Sequence, residues 1–372
     1  MTTANPGSGD PAPPTLTRWQ RAAPAVVLLL LSPVVVNVLF GAIRISFILA
    51  VIPAAGAWGL GTLIIRDLVR RRRRQGWNAV LLLGIALAIA EECVFLQTSL
   101  LPLIGVDPDH VYGRVFGVNW PYLLWALGYE SVWAVALPIL LVEWMFPERR
   151  DGPWMGKPGL AIACVVFVVA GLVRWYGWTQ VFVPQNFPQS AQRPSPLTIA
   201  AALVAIGVLG VSGLLVWSSS VPERSASGAA PRPWLVGIAA LAVGHAWFVL
   251  LFLAYGAAPA LPVGVPLLAG VGLAGVAILT VNRWVHRSGW RDLHSLALAS
   301  GALLASMSAG FLVLKGGGAS SVDFVGKALL NGIAILGLVH LGLRFQRDSA
   351  KERAVSAEES VSPALLVAED LR

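Results

Sequence analysis

The stretch WNAVLLLGIALAIAEECVFLQTSLL, from Trp77 to Leu101, decides the fold of this protein. It is almost entirely apolar and long enough to cross the ~30 Å hydrocarbon core of a bilayer as a helix. Two adjacent acids, Glu91 and Glu92, interrupt it. A carboxylate at such depth costs ~2.5 to 3.5 kcal/mol on insertion scales, so the two glutamates indicate a polar site inside a membrane helix.

The composition extends this prediction to the whole chain. Hydrophobic residues make up 56% of the 372 residues and charged residues only 12%, which is too apolar for a soluble core with a polar surface. Long apolar runs separated by short charged segments predict an all-α, polytopic transmembrane helical bundle. The ten predicted spans are 23–42, 46–65, 78–101, 119–145, 159–178, 198–217, 234–255, 260–281, 293–314 and 322–344.

The basic residues predict the orientation, because Lys and Arg near span ends stay on the cytoplasmic side. Alternating the connections between the two sides places most of the 27 basic residues together, and both termini are therefore predicted to be cytoplasmic. A disordered N-terminal segment (1–21) and a flexible tail (346–372) are expected to flank a single transmembrane domain (22–345). The exceptions to the charge bias are Arg44, Arg114, Arg174, Arg193, Lys315 and Lys327.

The net charge of +8 and the run Arg70 to Arg74 raise the question of nucleic-acid binding. A basic cluster directly inside a membrane span is explained better as an orientation signal. It can also hold anionic lipid headgroups, at ~1 kcal/mol for each basic residue. We therefore expect the lipid bilayer as partner, with anionic lipid near Arg70 to Arg74 and no nucleic acid.

Small residues and prolines predict where the helices pack closely. In lipid, small side chains at four-residue spacing let helices approach, and Gly301, Ala305 and Ala309 form such a stripe. Pro138 cannot donate a backbone hydrogen bond, so it should free the carbonyl of Ala134 in the fourth span.

Three acids lie well inside predicted spans: Glu91, Glu92 and Glu130. At 100° per residue, both members of the pair share a helix face with Gly84 and Ala88, which predicts that this face packs on protein. Glu130 in the fourth span has a predicted depth similar to that of Glu92. Because a short connection joins the third and fourth spans, the three carboxyls are expected to converge.

Two further polar residues in the spans complete the candidate site. His245 lies near the middle of the seventh span and Arg174 in the outer part of the fifth. Such a set can activate water as a general base, coordinate a metal with His245, or shuttle a proton. The pattern specifies no cofactor and leaves the metal open. A structural cluster, with Arg174 as counter-ion and His245 bonded across helices, remains the alternative. The candidate catalytic residues are Glu91, Glu92, Glu130, His245 and Arg174.

Several short motifs between Ile65 and Trp154 occur together. They are Ile65-Arg66-Asp67, Arg70-Arg71, Gly76-Trp77, Leu82-Leu83-Gly84, Glu91-Glu92, Pro138-Ile139-Leu140-Leu141-Val142-Glu143 and Phe146-Pro147-Glu148-Arg149. With them this segment, about a quarter of the chain, resembles an uncharacterised family of bacterial multi-pass membrane proteins. The resemblance implies a bacterial cytoplasmic (inner) membrane location and no assigned activity.

The glutamate pair also resembles the first motif of the CAAX-protease and bacteriocin-processing (CPBP) intramembrane family. In that motif an arginine follows four residues after the second glutamate, and the resemblance implies that one glutamate activates the attacking water. Here Leu96 stands at the arginine position, with Gln97 next to it. Neither His245 nor His340 is part of the family's later His-x-x-x-Asn arrangement.

Two function classes follow from these residues. The first is hydrolysis of peptide or amide bonds within the membrane, with Glu91 or Glu92 as general base. The second is proton-coupled transport of a small molecule, because ten spans divide into two five-span halves that would have opposite topology. A structural membrane protein without catalytic activity is the third alternative.

Overall fold

The computed structural model describes residues 17–72, 76–215, 226–256 and 260–369, and for residues 18, 110, 226–227 and 352–369 the backbone alone. Ten helices in these segments are long and apolar enough to cross a membrane, which confirms the all-α multi-pass fold. They are α1 (Trp19–Leu39), α2 (Ile45–Arg71), α3 (Trp77–Phe95), α4 (Trp120–Met145), α5 (Lys157–Asn186), α6 (Pro196–Leu215), α7 (Pro233–Ala254), α8 (Gly264–Val285), α9 (Asp292–Gly316) and α10 (Ser321–Lys351).

The two ends of the bundle differ in charge. We name the end with Arg66, Arg70 and Arg71 the basic side, and the end with the connection 96–119 the loop side. That the basic side is cytoplasmic stays a prediction. The predictions for residues 1–16, Arg73 and Arg74 lie outside the described residues.

Both ends of the transmembrane domain continue as helix beyond the predicted limits. The N-terminal helix begins at Arg18, where Thr17 and Gln20 form a capping box that satisfies free backbone N–H groups. At the other end the helix Ser321–Glu369 continues α10 through most of the segment expected to be a flexible tail.

The third helix ends six residues earlier than predicted, at Phe95 instead of Leu101. Gln97 then adopts φ 59, which breaks the helix, and the chain folds back against the bundle. Asn119 fixes this loop, because its side-chain amide donates to the carbonyls of Leu101 (2.5 Å) and Thr98 (3.3 Å). The connection is therefore packed against the helices: Leu100 and Leu103 are buried although they lie outside any helix.

Four short strands, each of two to four residues, complete the part of the chain that the structure describes. On the loop side, β1 (Arg114–Val115) and β2 (Val118–Asn119) form an antiparallel hairpin. Arg114 donates to the carbonyl of Leu100 (3.2 Å), and partial burial lowers the pKa of its guanidinium below the usual value. On the basic side, β3 (Ala226–Ala229) pairs in parallel with β4 (Arg287–Ser288).

The polar third and fourth helices lie at the centre of the bundle. In their most apolar windows, α3 and α4 are 67% and 72% buried, whereas α5, α6 and α8 are each 11% buried and expose apolar side chains around the periphery. A peripheral helix with an apolar outer surface is typical of contact with lipid. The carboxyls of α3 and α4 therefore lie in the protein interior.

The helix pair α7 and α9 confirms the predicted small-residue stripe. Gly301, Ala305 and Ala309 are all buried. A Cβ atom at Gly301 would lie 2.2 Å from the carbonyl oxygen of Gly237 on α7. Only glycine permits this separation, so the two backbones are in direct contact.

Five of the spans contain a π-helical turn, in which the backbone hydrogen bonds skip one additional residue. The turns in α3 and α4 contain Glu91, Glu92 and Glu130, and the turn in α5 begins two residues after Arg174. The segments are Val34–Leu39, Ala55–Gly59, Ala90–Phe95, Glu130–Ala136 and Tyr176–Phe182.

The carbonyl that Pro138 was predicted to free has found partners on other helices. The oxygen of Ala134 accepts hydrogen bonds from Ser32 Oγ (2.7 Å) and Thr62 Oγ1 (2.8 Å). These contacts join α1, α2 and α4 at the middle of the bundle.

The two five-helix halves do not pack alike. In the first half, α3 and α4 are in extensive contact, whereas their counterparts α8 and α9 are not. In the second half the dominant pair is α7 and α9, and its counterpart α2 and α4 has only a small contact. The arrangement therefore gives no support to an inverted repeat.

Candidate functional site

Glu91 and Arg174 form an ion pair inside the protein. Glu91 lies in the π-helical turn of α3 and is fully buried, and its Oε2 accepts a hydrogen bond from Arg174 Nη1 at 2.5 Å. The guanidinium carbon of Arg174 lies 4.3 Å from the ring centroid of Trp58, a cation–π distance. An unpaired buried charge costs several kcal/mol, so each partner lowers the free-energy cost of burying the other.

A close approach between α5 and the end of α3 brings Arg174 to this position. Gly171 lies three residues before Arg174 and therefore on the same helix face. A Cβ atom at Gly171 would lie 2.4 Å from the Phe95 ring, so glycine allows the ring to pack directly on the α5 backbone.

Glu92 and Glu130 form a second pair, between α3 and α4. Both are 4% exposed, and their carboxyl groups are near neighbours that interact electrostatically. The hydroxyl of Ser99, in the loop after α3, donates to Glu92 Oε2 at 3.0 Å. Two ionised carboxylates have only acceptors, so a hydrogen bond between them requires one bound proton.

The contact between α3 and α4 depends on Gly84. A Cβ atom there would lie 3.0 Å from the Cα atom of Ser131. Ala88, one turn later, is fully buried, and the glutamate pair follows on the same face. The predicted convergence of Glu91 and Glu92 with Glu130 is therefore observed in the structure.

His245 does not join these carboxyls, which differs from our expectation. Its Nδ1 lies 2.9 Å from the carbonyl oxygen of Leu241, and its Nε2 lies 2.8 Å from Ser308 Oγ on α9. Gly244 packs against Ala305, because a Cβ atom at Gly244 would lie only 2.6 Å from the Cβ atom of Ala305. That contact directs the neighbouring His245 side chain to the exposed edge of the α7–α9 pair.

The structure thus brings four of the five predicted residues together: Glu91, Glu92, Glu130 and Arg174. Among the described residues, no group of three or more His, Cys, Asp or Glu side chains has the arrangement to hold a metal ion. The two hydrogen bonds of His245 hold its imidazole at the edge of the α7–α9 pair, away from the carboxyls.

Sequence reasoning missed several polar residues that continue the site toward the basic side. Trp58, Thr62 and Arg66 follow each other at four-residue spacing and therefore line one face of α2. Trp58 contacts Arg174, Thr62 contacts the hydroxyl of Ser32, and Arg66 binds Glu143. We name the resulting line of buried groups the polar column; it comprises Ser99, Glu92, Glu130, Ser32, Thr62, Arg66 and Glu143.

The basic end of the column is an ion network around Glu143. Glu143 accepts hydrogen bonds from Arg66 Nε (3.2 Å) and from Arg70 Nε (2.8 Å) and Nη2 (2.6 Å). Arg66 also donates to the carbonyls of Gly152 (2.6 Å) and Arg150 (2.7 Å). Its guanidinium carbon lies 3.6 Å from the Trp154 ring centroid.

Asp67 connects the same network to the loop after α4. It accepts hydrogen bonds from Arg71 Nε (2.8 Å) and from the backbone N–H groups of Trp154 (2.8 Å) and Met155 (3.0 Å). Arg70 and Arg71 therefore bind carboxylates of the protein, and anionic lipid near Arg70 to Arg74 stays a prediction. The four-residue spacing of Asp67 and Arg71 is the sequence signal that could have indicated this ion pair.

The chain matches no protein-family model, and no curated protein or solved structure is similar to it.

Proposed function

We propose that this multi-pass membrane protein is a proton-coupled transporter of a small molecule in the bacterial cytoplasmic membrane. The observation that carries the proposal is the Glu92–Glu130 pair, two neighbouring carboxyl groups buried inside a membrane helix bundle, where a shared proton would let them form a hydrogen bond. Ionisable groups at such depth typically mark proton relays and ion pathways.

The neighbouring ion pair makes the site suited to exchange that proton. Arg174 offsets the charge of Glu91, so the carboxyl pair is left as the group whose charge changes when a proton binds or leaves. Release of the proton adds one negative charge to a buried site. A conformational change that admits water or a substrate then stabilises one protonation state over the other, which is the basis of coupling.

The polar column supplies a direction for proton movement. Glu130 and Glu143 are thirteen residues apart on α4, which corresponds to ~20 Å along a helix. The hydroxyls of Ser32 and Thr62 lie between them, and Ser99 lies beyond Glu92 on the loop side. Most of the ~30 Å hydrocarbon thickness is therefore crossed by buried polar groups.

An intramembrane hydrolase is the second candidate. Glu91 Oε1 accepts no hydrogen bond from the described residues, which favours a role for this oxygen in holding a water molecule. The imidazole expected beside it is absent from the site, because His245 is bonded on α7 and α9.

Membership in the CPBP family, or in the uncharacterised bacterial family, likewise stays a proposal that rests on the motifs.

Proton flux into proteoliposomes tests the transporter proposal. Vesicles containing a pH-sensitive dye and the purified protein are placed in a pH gradient, with valinomycin and potassium to balance charge. We expect the protein to dissipate the gradient faster than protein-free vesicles do. Glu92→Gln and Glu130→Gln should return the rate to that of protein-free vesicles, whereas the exposed Glu148→Gln should keep the original rate.

Two outcomes decide against the proposal. A rate equal to that of protein-free vesicles for the unmodified protein would contradict the expected proton flux through the carboxyl pair. Unchanged flux in Glu92→Gln, combined with loss of cleavage of membrane peptides, would favour the hydrolase. Gel filtration of each variant excludes misfolding as the cause of a lost rate.

A further inference from the structure

A cavity of about 780 Å³ lies on the basic side, away from the carboxyl pairs. Its walls come from the end of α4, the loop after α4, the first residues of α9 and the part of α10 around Arg344. These elements are close to the membrane boundary, where α4 ends at Met145 and α9 begins at Asp292. The cavity is large enough for a lipid headgroup.

Three arginines and three acids line this cavity. They are Arg150, Arg291 and Arg344 with Glu143, Asp292 and Asp348. Glu143 is already bound by two arginines outside the lining, Arg66 and Arg70, so its charge is offset there.

Two of the three lining arginines have no carboxylate partner. Arg344 lies 3.8 Å from Asp348, whereas Arg150 and Arg291 form no ion pair within the part of the chain that the structure describes. They project from different elements, the α4–α5 loop and the start of α9. An anion between them would receive two sets of guanidinium donors, the arrangement that recognises phosphate.

The other walls are apolar. Trp144 is 4% exposed and packs edge-to-face on Phe345, with ring centroids 5.6 Å apart, and both line the cavity. A phosphate that carries an apolar chain fits this combination, because the headgroup meets the arginines and the chain continues toward the bilayer.

We propose that this cavity binds a phosphate group, held between Arg150 and Arg291, of an anionic phospholipid headgroup or of a soluble phosphate. Basic pockets between membrane helices at the cytoplasmic boundary are suited to such headgroups. The cavity shares Glu143 with the basic end of the polar column, but phosphate binding there does not depend on proton transfer along the column.

Native mass spectrometry of the purified full chain, titrated with phosphatidylglycerol, tests the proposal. The double variant Arg150→Gln/Arg291→Gln should bind about thirtyfold more weakly, since each basic residue contributes a factor of about five to binding of an anionic headgroup. The matched control is Arg347→Gln, which removes the same charge from α10 outside the cavity lining and should bind as the unmodified chain does.

Two further titrations identify the source of the phosphate. If inorganic phosphate displaces phosphatidylglycerol, the site binds the phosphate group that the two compounds share. If inorganic phosphate binds and the lipid does not, the site binds a soluble phosphate. Phosphatidylcholine should bind weakly, because its choline offsets the anionic charge. Equal binding by the double variant, the control and the unmodified chain would overturn the proposal, as would the absence of binding by both phosphate compounds.

The single variants keep the test valid if the double variant does not fold. Arg150→Gln and Arg291→Gln should each bind phosphatidylglycerol about fivefold more weakly. A loss in only one of them, or in neither, would contradict a phosphate held between the two guanidinium groups.

Discussion

At the scale of single residues, two buried carboxylates of this protein are held by arginine side chains. Arg174 lies beside Glu91, and Arg66 and Arg70 bind Glu143. A buried ion pair adds little net stability compared with apolar residues, but removing one partner leaves the other uncompensated. The two members of a pair are therefore expected to respond differently to substitution.

The Glu91–Arg174 pair provides the first prediction. Glu91→Gln should destabilise the protein by about 3–5 kcal/mol, because the guanidinium of Arg174 cannot lose its charge. Arg174→Gln should cost less, because the carboxylate of Glu91 can take up a proton. The double variant should cost less than the sum of the two single variants. Unfolding in mixed micelles measures all three, and additive costs would show that the pair is not coupled.

Glu143 provides the second prediction, with a control five residues away. Glu143→Gln leaves Arg66 and Arg70 without their carboxylate and should cost about 3–5 kcal/mol. Glu148→Gln removes the same charge from an exposed position and should change stability by less than about 0.5 kcal/mol. The same unfolding measurement applies, and equal effects of the two substitutions would refute the role of the network.

At the scale of helices, backbone contacts determine which side chains meet. Gly84 lets α3 approach Ser131 on α4, and Gly171 lets α5 approach Phe95. The π-helical turns then shift the residues that follow, and Glu91, Glu92 and Glu130 all lie within such turns. Rare π-helical turns of this kind are frequently found at functional sites.

The stripe on α9 provides a prediction for helix contact. Gly301→Ala should destabilise the protein by about 1–3 kcal/mol, because the new methyl group overlaps the carbonyl oxygen of Gly237. Gly272→Ala on the peripheral helix α8 meets no atom within 4 Å and should be neutral or slightly stabilising. Thermal unfolding in detergent compares the two. Similar melting temperatures for both variants would contradict the direct contact between α7 and α9.

Helix faces could be predicted from the sequence because they follow from periodicity alone. The face of Gly84, Ala88 and the glutamate pair packs on protein as expected, and the carbonyl of Ala134 is available to Ser32 and Thr62. These features depend only on the 3.6-residue repeat and on the missing N–H of Pro138.

The remaining features depend on tertiary packing and could not be read from periodicity. Residues 96–101 carry no charge and include three leucines, so they resemble the end of a span, yet they form a loop that packs against the helices on the loop side. For His245 the sequence indicated a depth in the membrane but not which neighbour its face would meet. The π-helical turns have no composition signal, because the shift in hydrogen bonding depends on surrounding contacts.

At the scale of the whole molecule, the ion network around Glu143 and the polar column extend from the basic side toward the loop side. The loop side contributes Ser99 and the basic side contributes Glu143, with the carboxyl pair between them. Lateral helices α5, α6 and α8 isolate this interior from lipid. Proton movement along the column requires that the two ends face different compartments, which is the consequence of the predicted topology.

Cysteine labelling of intact cells tests that topology. In a chain with Cys93 and Cys164 replaced by serine, Asp109→Cys on the loop side should react with a membrane-impermeant maleimide. Asp151→Cys on the basic side should react only after lysis; both native residues are exposed, so access differs only through the membrane. The reverse pattern would place the basic side outside, against the charge bias.

The most direct test of the central claim is the infrared spectrum of the purified protein in maltoside micelles, whose detergent has no carbonyl group. If Glu92 and Glu130 share a proton, a protonated carboxylic acid band should be present at neutral pH and shift in D₂O. Glu92→Gln and Glu130→Gln should each change or remove this band, and Glu148→Gln should leave it intact. The absence of the band from the unmodified protein, or its persistence unchanged in both variants, would contradict a proton bound between these two carboxyls.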